Sequence, residues 1–174
     1  MKSLEIPENV KVDIKDNEII VNGKLGTNIR KFNNSLVNIT KEENKLIIKS
    51  IENNSKLKKK GIMVENAIAK ELNNDIKGVN NYFEINMQTV FAHFPITIEA
   101  KNNQIFIKNI IGERAPRISM VSGNTKVEIK GQNVRLYGTK LDDVMQTAAN
   151  LKKACRIRKK DNRVFQDGVY MIQQ

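Results

Sequence analysis

Lysine and arginine carry most of the chemistry this sequence offers. Between residues 152 and 163 stand Lys152, Lys153, Arg156, Arg158, Lys159, Lys160 and Arg163, seven cations against the single acid Asp161. Two further arginines, Arg114 and Arg117, flank Ala115-Pro116. A third cluster, Lys58, Lys59 and Lys60, closes a lysine-rich segment that begins at Lys56. An arginine fork matches a phosphate bidentately, whereas a lysine acts as a point charge. The 152–163 strip follows an amphipathic helix and is closed by the mixed tail Val164-Phe165-Gln166-Asp167-Gly168-Val169-Tyr170-Met171. A cationic strip between two apolar anchors is a fixed surface, and fixed cations facing solvent meet polyanions. The competing reading is a solvated helix end whose cations complement the dipole. Lysines at a helix start, as at 58–60, oppose that dipole and are not there for helix stability. The formal charge of +11 and pI near 9.7 lean the same way, toward nucleic acid or an anionic membrane.

Other reactive side chains do not assemble into a catalytic site. Asp142 and Asp143 fall in the first turn of a helix, where the dipole explains them. Cys155 continues that helix's apolar stripe and reads as packing rather than as a nucleophile. It is the one cysteine, so an internal disulfide and a cysteine-rich zinc site are excluded. His93, the one histidine, sits between Phe91 and Phe94 and reads as hydrogen-bonded and partly buried. Asp161 and Asp167 flank basic residues and read as orienting arginine side chains. The glycines of Asn22-Gly23-Lys24-Leu25-Gly26 suit a hairpin connection, without a ligand. There is no P-loop and no dinucleotide glycine pattern. The expectation is a protein that is not an enzyme, with no cofactor, no metal and no small-molecule substrate.

The elements that must hold these groups occur twice. Residues 10–15 and 18–21 read as two strands around a turn, 37–39 and 46–48 as a second pair, and roughly 59–76 as a helix. The helix stripe is Val64, Ala67, Ile68, Leu72 and Ile76, with Asn73-Asn74 and Lys77-Gly78 near its end. Residues 24–32 read as a glycine-containing loop. A shift of 86 residues lays 12–21 over 98–107 without a gap, apolar on apolar and turn on turn, with Gly26 over Gly112. Residues 127–130 and 134–137 repeat the second strand pair. Thr139-Lys140-Leu141-Asp142 then reads as a capping box opening a helix with the stripe Leu141, Val144, Met145, Ala148, Leu151 and Cys155. Residues 82–87 and 89–94 read as further strand ending at Pro95. The fold class is therefore α+β: two tandem duplicated domains, each an antiparallel sheet packed against one helix. The expected domains are 1–80, and 81–174 with the basic tail. Residues 1–80 hold 15 basic and 11 acidic residues, and 81–174 hold 15 and 8. Arg30 is the one arginine of the first half, so the second is the better candidate for RNA or DNA contact. No apolar run approaches the roughly 18 residues of a spanning helix. The start has no apolar signal core, which predicts a cytosolic chain without a membrane partner.

Several stretches resemble a known family. They are Ile6-Pro7-Glu8-Asn9-Val10, Val21-Asn22-Gly23-Lys24-Leu25-Gly26-Thr27, Ile76-Lys77-Gly78-Val79, Ala92-His93-Phe94-Pro95-Ile96, Asn109-Ile110-Ile111-Gly112-Glu113 and the run 161–170. In this order the chain resembles the two-domain large-subunit ribosomal protein six family in its archaeal/eukaryotic form. Lys24-Leu25 stand where that family's first loop carries Pro and a basic residue. The resemblance implies a structural, cytoplasmic component of the ribosome, supporting translation. It implies binding to large-subunit rRNA through the second domain, near the sarcin–ricin loop and the GTPase factor site. Neighbouring ribosomal proteins and nearby translational GTPases are the implied partners. The implied contacts are Arg114, Arg117, Arg158, Lys159, Lys160 and Arg163. Lys152, Lys153, Arg156, Lys58, Lys59 and Lys60 join them on charge. One rival is a basic module for DNA or messenger RNA, but an acidic first turn is wrong for a helix entering a groove N-terminus first. The other rival is a hydrolase built on Asp142, Asp143 and His93.

Overall fold

The computed structural model describes residues 2–172 except 16, 34–36, 43, 52–54, 159 and 162, and describes no side chains at 55–59. The chain divides into two compact units, Met1–Tyr82 and Phe83–Gln174.

The first unit runs β1 (Lys2–Glu5), β2 (Lys11–Lys15), β3 (Glu18–Gly23), β4 (Gly26–Lys31), β5 (Val37–Glu42), β6 (Lys45–Ser50) and α1 (Ser55–Asn80). Its strands form two antiparallel sheets, β1-β6-β5 and β2-β3-β4. Alternation along β2 and β3 buries Val12, Ile19 and Val21 against Ile68, Leu72, Ile76 and Val79 of α1. Each fully buried aliphatic side chain contributes roughly 1.5–3 kcal/mol.

Several expectations need correction here. Residues 24–32 are not a loop: Lys24 and Leu25 alone make the turn, and β4 follows at once. The pattern hid this strand because it sits at a sheet edge and buries Asn28 and half-buries Arg30 rather than apolar residues. The helix runs from Ser55 to Asn80, through Asn73-Asn74. Ala67 is exposed, and Ala69 and Val79 are buried in the helix face instead.

The second unit runs β7 (Phe83–Val90), β8 (Thr97–Lys101), β9 (Gln104–Lys108), β10 (Arg117–Met120), β11 (Lys126–Lys130), β12 (Asn133–Gly138), α2 (Leu141–Ala154) and β13 (Gly168–Met171). Its antiparallel sheets are β10-β9-β8 and β11-β12-β7-β13. The internal duplication is visible in register. Val12 pairs Val21 and Ile14 pairs Ile19 in the first unit. Ile98 pairs Ile107 and Ala100 pairs Ile105 in the second, each 86 residues on. Likewise β1-β6-β5 repeats as β7-β12-β11, and the second unit adds β13 to the outer edge of β7. Each unit is thus α+β with one helix, but it holds two small sheets rather than one.

The strand expected through residue 94 stops at Val90, and residues 92–94 bend. Met145, expected in the α2 stripe, is 46 % exposed, while Thr147 is fully buried. Its hydroxyl donates to Asp143 O and accepts from the Ser122 amide, so a polar side chain joins the buried face.

Candidate nucleic-acid interface

The cationic strip begins where α2 ends. Cys155 caps the helix, its N–H donating to Leu151 O at 3.1 Å. Its side chain is 3 % exposed and Ile157 is 5 % exposed, so both anchor the exit of the strip in the core. Burial pushes the Cys155 thiol up to about 12, which leaves it neutral and inert. At the far end Phe165 is half-buried, and the amides of Val164 and Phe165 donate to Asp161 O.

Arg117 sets the position of this exit. It begins β10 rather than lying on a loop. Its Nη1 donates to Ala154 O and Arg156 O, each at 3.0 Å. Its Nε and Nη2 donate to the Glu113 carboxylate at 2.7 and 2.5 Å. The fork so satisfies a carbonyl left over at the helix C-terminus and ties the 110–117 segment to it. The hydrogen bond from Arg117 holds the Glu113 carboxyl below its usual range, and the Glu113 carboxylate raises Arg117. The segment turns tightly before this point, with Ile111 at φ 52 and Gly112 at φ 73.

The predicted contact residues then separate by what they already touch. Arg114, Lys152, Lys153, Arg156, Arg158 and Lys160 are exposed and make no salt bridge to a described residue. Arg163 is exposed too, but pairs with Asp161 at 3.1 Å. Both partners are open to solvent, and such a pair contributes little and exchanges readily. Lys60 is exposed on α1 in the first unit. The side chains of Lys58 and Lys59, and the whole of Lys159, lie outside the described residues. Two arginines outside the predicted set are also engaged. Arg135 forks Glu84 at 2.6 and 2.7 Å and lies 5.2 Å over the Tyr137 ring. Arg30 is held by Asp75 and Glu71.

Asp167 does not orient an arginine. It is 4 % exposed, and its Oδ1 accepts the Ala92 amide at 2.8 Å and stands 3.5 Å from His93 Nδ1. The His93 ring stacks on Phe165 at 4.4 Å. This knot of His93, Phe165 and Asp167 fixes the end of the strip. Asp143 lies instead against the turn at Gly123, whose φ is +52. Of the residues of a hypothetical hydrolase, Asp143 and His93 are engaged structurally. Among the described residues, no three His, Cys, Asp or Glu side chains converge to hold a metal. No described helix is long and apolar enough to cross a membrane.

Sequence reasoning missed a cavity of about 550 Å³ beside the strip. Lys152, Lys153, Arg156, Asp167, Gly168 and Tyr170 line it, together with buried Cys155 and Val169. No signal marked it, since it forms only where β13 returns beside the end of α2.

Two compact α+β units related by duplication, one of them with a pinned strip of exposed cations, define a class of basic, two-unit α+β protein. A family model described as ribosomal protein L6 matches residues 94–168. A large ribosomal subunit protein uL6 from Methanobrevibacter smithii is 42 % identical over 98 % of this chain and 94 % of its own length. Those of Thermoplasma volcanium and Methanothrix thermoacetophila are 37 % and 33 % identical, over 97 % and 100 % of this chain and 93 % and 97 % of theirs. The chain belongs to the uL6 family of large ribosomal subunit proteins.

Proposed function

We propose that this chain is a structural constituent of the large ribosomal subunit in the cytoplasm, supporting translation without catalysis. It binds large-subunit rRNA through its second unit, near the sarcin–ricin loop and the site where translational GTPases dock, with other ribosomal proteins as neighbours. The observation that carries this reading is the strip itself: exposed cations, of which Lys152, Lys153, Arg156, Arg158 and Lys160 make no salt bridge to a described residue, on a backbone held by Arg117 at one end and Asp167 at the other. Arg114, Lys152, Lys153, Arg156, Arg158, Lys159, Lys160 and Arg163 meet phosphates there, and Lys58, Lys59 and Lys60 add contacts from the first unit. Arg117 works one step back, by setting the position of the strip. The cations displace counterions, and a rigid scaffold selects RNA by shape and backbone rather than by base edges.

The test is binding of the purified chain to an rRNA fragment containing the sarcin–ricin region, against an unrelated duplex, across a salt series. Preference for the fragment that persists as salt rises is the expected result. Equal binding that vanishes with salt would reduce the protein to a generic polycation.

A further inference from the structure

The cavity beside the strip has a composition that bare phosphate binding does not require. At about 550 Å³ it lies within the range of small-molecule sites and is far larger than one phosphate group. Lys152, Lys153 and Arg156 stand on its wall, exposed and without a salt bridge to a described residue. The Tyr170 ring crosses the Gly168 backbone, since a Cβ added at Gly168 would stand 3.4 Å from the ring and its hydroxyl. Tyr170 is itself 38 % exposed and lines the same cavity as the three cations. Asp167 also lines the cavity, and its Oδ2 is buried without a hydrogen-bond partner among the described residues.

These parts complement one chemical group. Cations suit a phosphate, and a partly exposed tyrosine ring suits a stacked base. An acidic side chain would meet the cations but would bring a second carboxylate to Asp167. A basic side chain would suit Asp167 but would be repelled by the three cations. We propose that the cavity receives one unpaired nucleotide of large-subunit rRNA, its phosphate on Lys152, Lys153 and Arg156 and its base against Tyr170. This rests on the rRNA-binding reading and adds a defined subsite to it. RNA recognition of this kind takes bases out of loops and bulges, where they are free to stack on aromatic side chains.

The experiment uses the full chain and deproteinised large-subunit rRNA, with filter retention for affinity and ultraviolet cross-linking followed by peptide mapping for contact. The parent chain is expected to carry a nucleotide adduct on the peptide that contains Tyr170. Tyr170→Leu removes the ring but keeps apolar bulk; it is expected to lose the adduct and weaken retention about tenfold, as loss of one stacked base does. Should Tyr170→Leu disturb β13, the surface pair Lys152→Gln and Lys153→Gln is expected to reduce the same adduct with thermal unfolding unchanged. Arg158→Gln, outside the cavity, is expected to weaken retention in a salt-dependent way while keeping the adduct. Retention without any adduct at Tyr170, and unchanged in Tyr170→Leu, would overturn the subsite while leaving rRNA binding intact. Displacement by millimolar nucleoside monophosphates, or by an acidic peptide, would overturn it in favour of a free nucleotide or a protein partner. Failure of the parent chain to retain rRNA at all would sink the underlying reading and the subsite with it.

Discussion

Arg117 directs its guanidinium inward, to one carboxylate and two carbonyls, although its place in the sequence suggests a surface contact. A lysine there could reach one of these groups but could not fork Glu113 while bonding both carbonyls. Arg117→Lys is therefore expected to loosen the exit of the strip and lower rRNA affinity several-fold, with little change in the salt slope, because no phosphate contact is lost. An equal loss of slope and affinity, read from the same titration, would make Arg117 a direct contact. Glu113 gives this clamp a pH dependence. Its carboxyl sits below the ordinary 4.5 in the folded chain, chiefly through the hydrogen bond from Arg117. The unfolded chain therefore takes up the proton first as the medium is acidified. The stabilisation is present above about pH 4.5 and is lost as pH falls through the depressed folded value. Thermal unfolding followed from about pH 6 to about pH 3 is expected to fall less steeply in Glu113→Gln than in the parent.

At the scale of elements, legibility followed periodicity. Strands β2, β3, β8 and β9 alternate, and their buried positions stand in the sequence at a constant offset. Both helices declared themselves by an apolar stripe. What stayed hidden was held by groups with no period. Edge strand β4 buries Asn28 and half-buries Arg30, β13 forms by pairing back onto β7, and α1 outruns its Asn73-Asn74 pair because Ile76 and Val79 are packed beyond it. The candidate site shows in the sequence as a cluster of charge and not as geometry: nothing in the sequence distinguishes clamped Arg117 and Arg135 from Arg156 and Arg158, which make no salt bridge to a described residue. Arg30 illustrates the energetic consequence. Its Nε and Nη2 donate to Asp75, whose side chain is 2 % exposed, and its Nη1 donates to Glu71. The pair joins β4 to α1 where apolar contact is thin. Arg30→Met would leave a buried carboxylate uncompensated, at a cost of about 3 kcal/mol or more. Chemical denaturation should show a lower midpoint for this variant. The double variant Arg30→Met with Asp75→Leu should recover much of the loss, because replacing both charges removes the desolvation problem. No recovery would place the stabilisation in the pair itself.

At the scale of the molecule, duplication produced two scaffolds of one plan and unequal charge. The second copy gained β13, and with it an anchored return that keeps the strip against the end of α2. The first copy keeps its one arginine for internal bonding, whereas Arg114, Arg156 and Arg158 of the second are exposed without a salt bridge to a described residue. Binding measured against salt should therefore divide unevenly between the units. Each phosphate contact on a single strand adds about 0.7 to the slope of log affinity against log salt, and on a duplex about 0.9. Neutralising Arg156, Arg158 and Lys160 together is expected to lower the slope by about 2 to 3, if each meets one phosphate. Lys60→Gln is expected to lower it by less than about 1. Reversal of that order would move the principal RNA surface to the first unit. Equal, small effects from both would mean that the charge serves solubility, and that the pinned backbone, not its cations, is what the family fold preserves here.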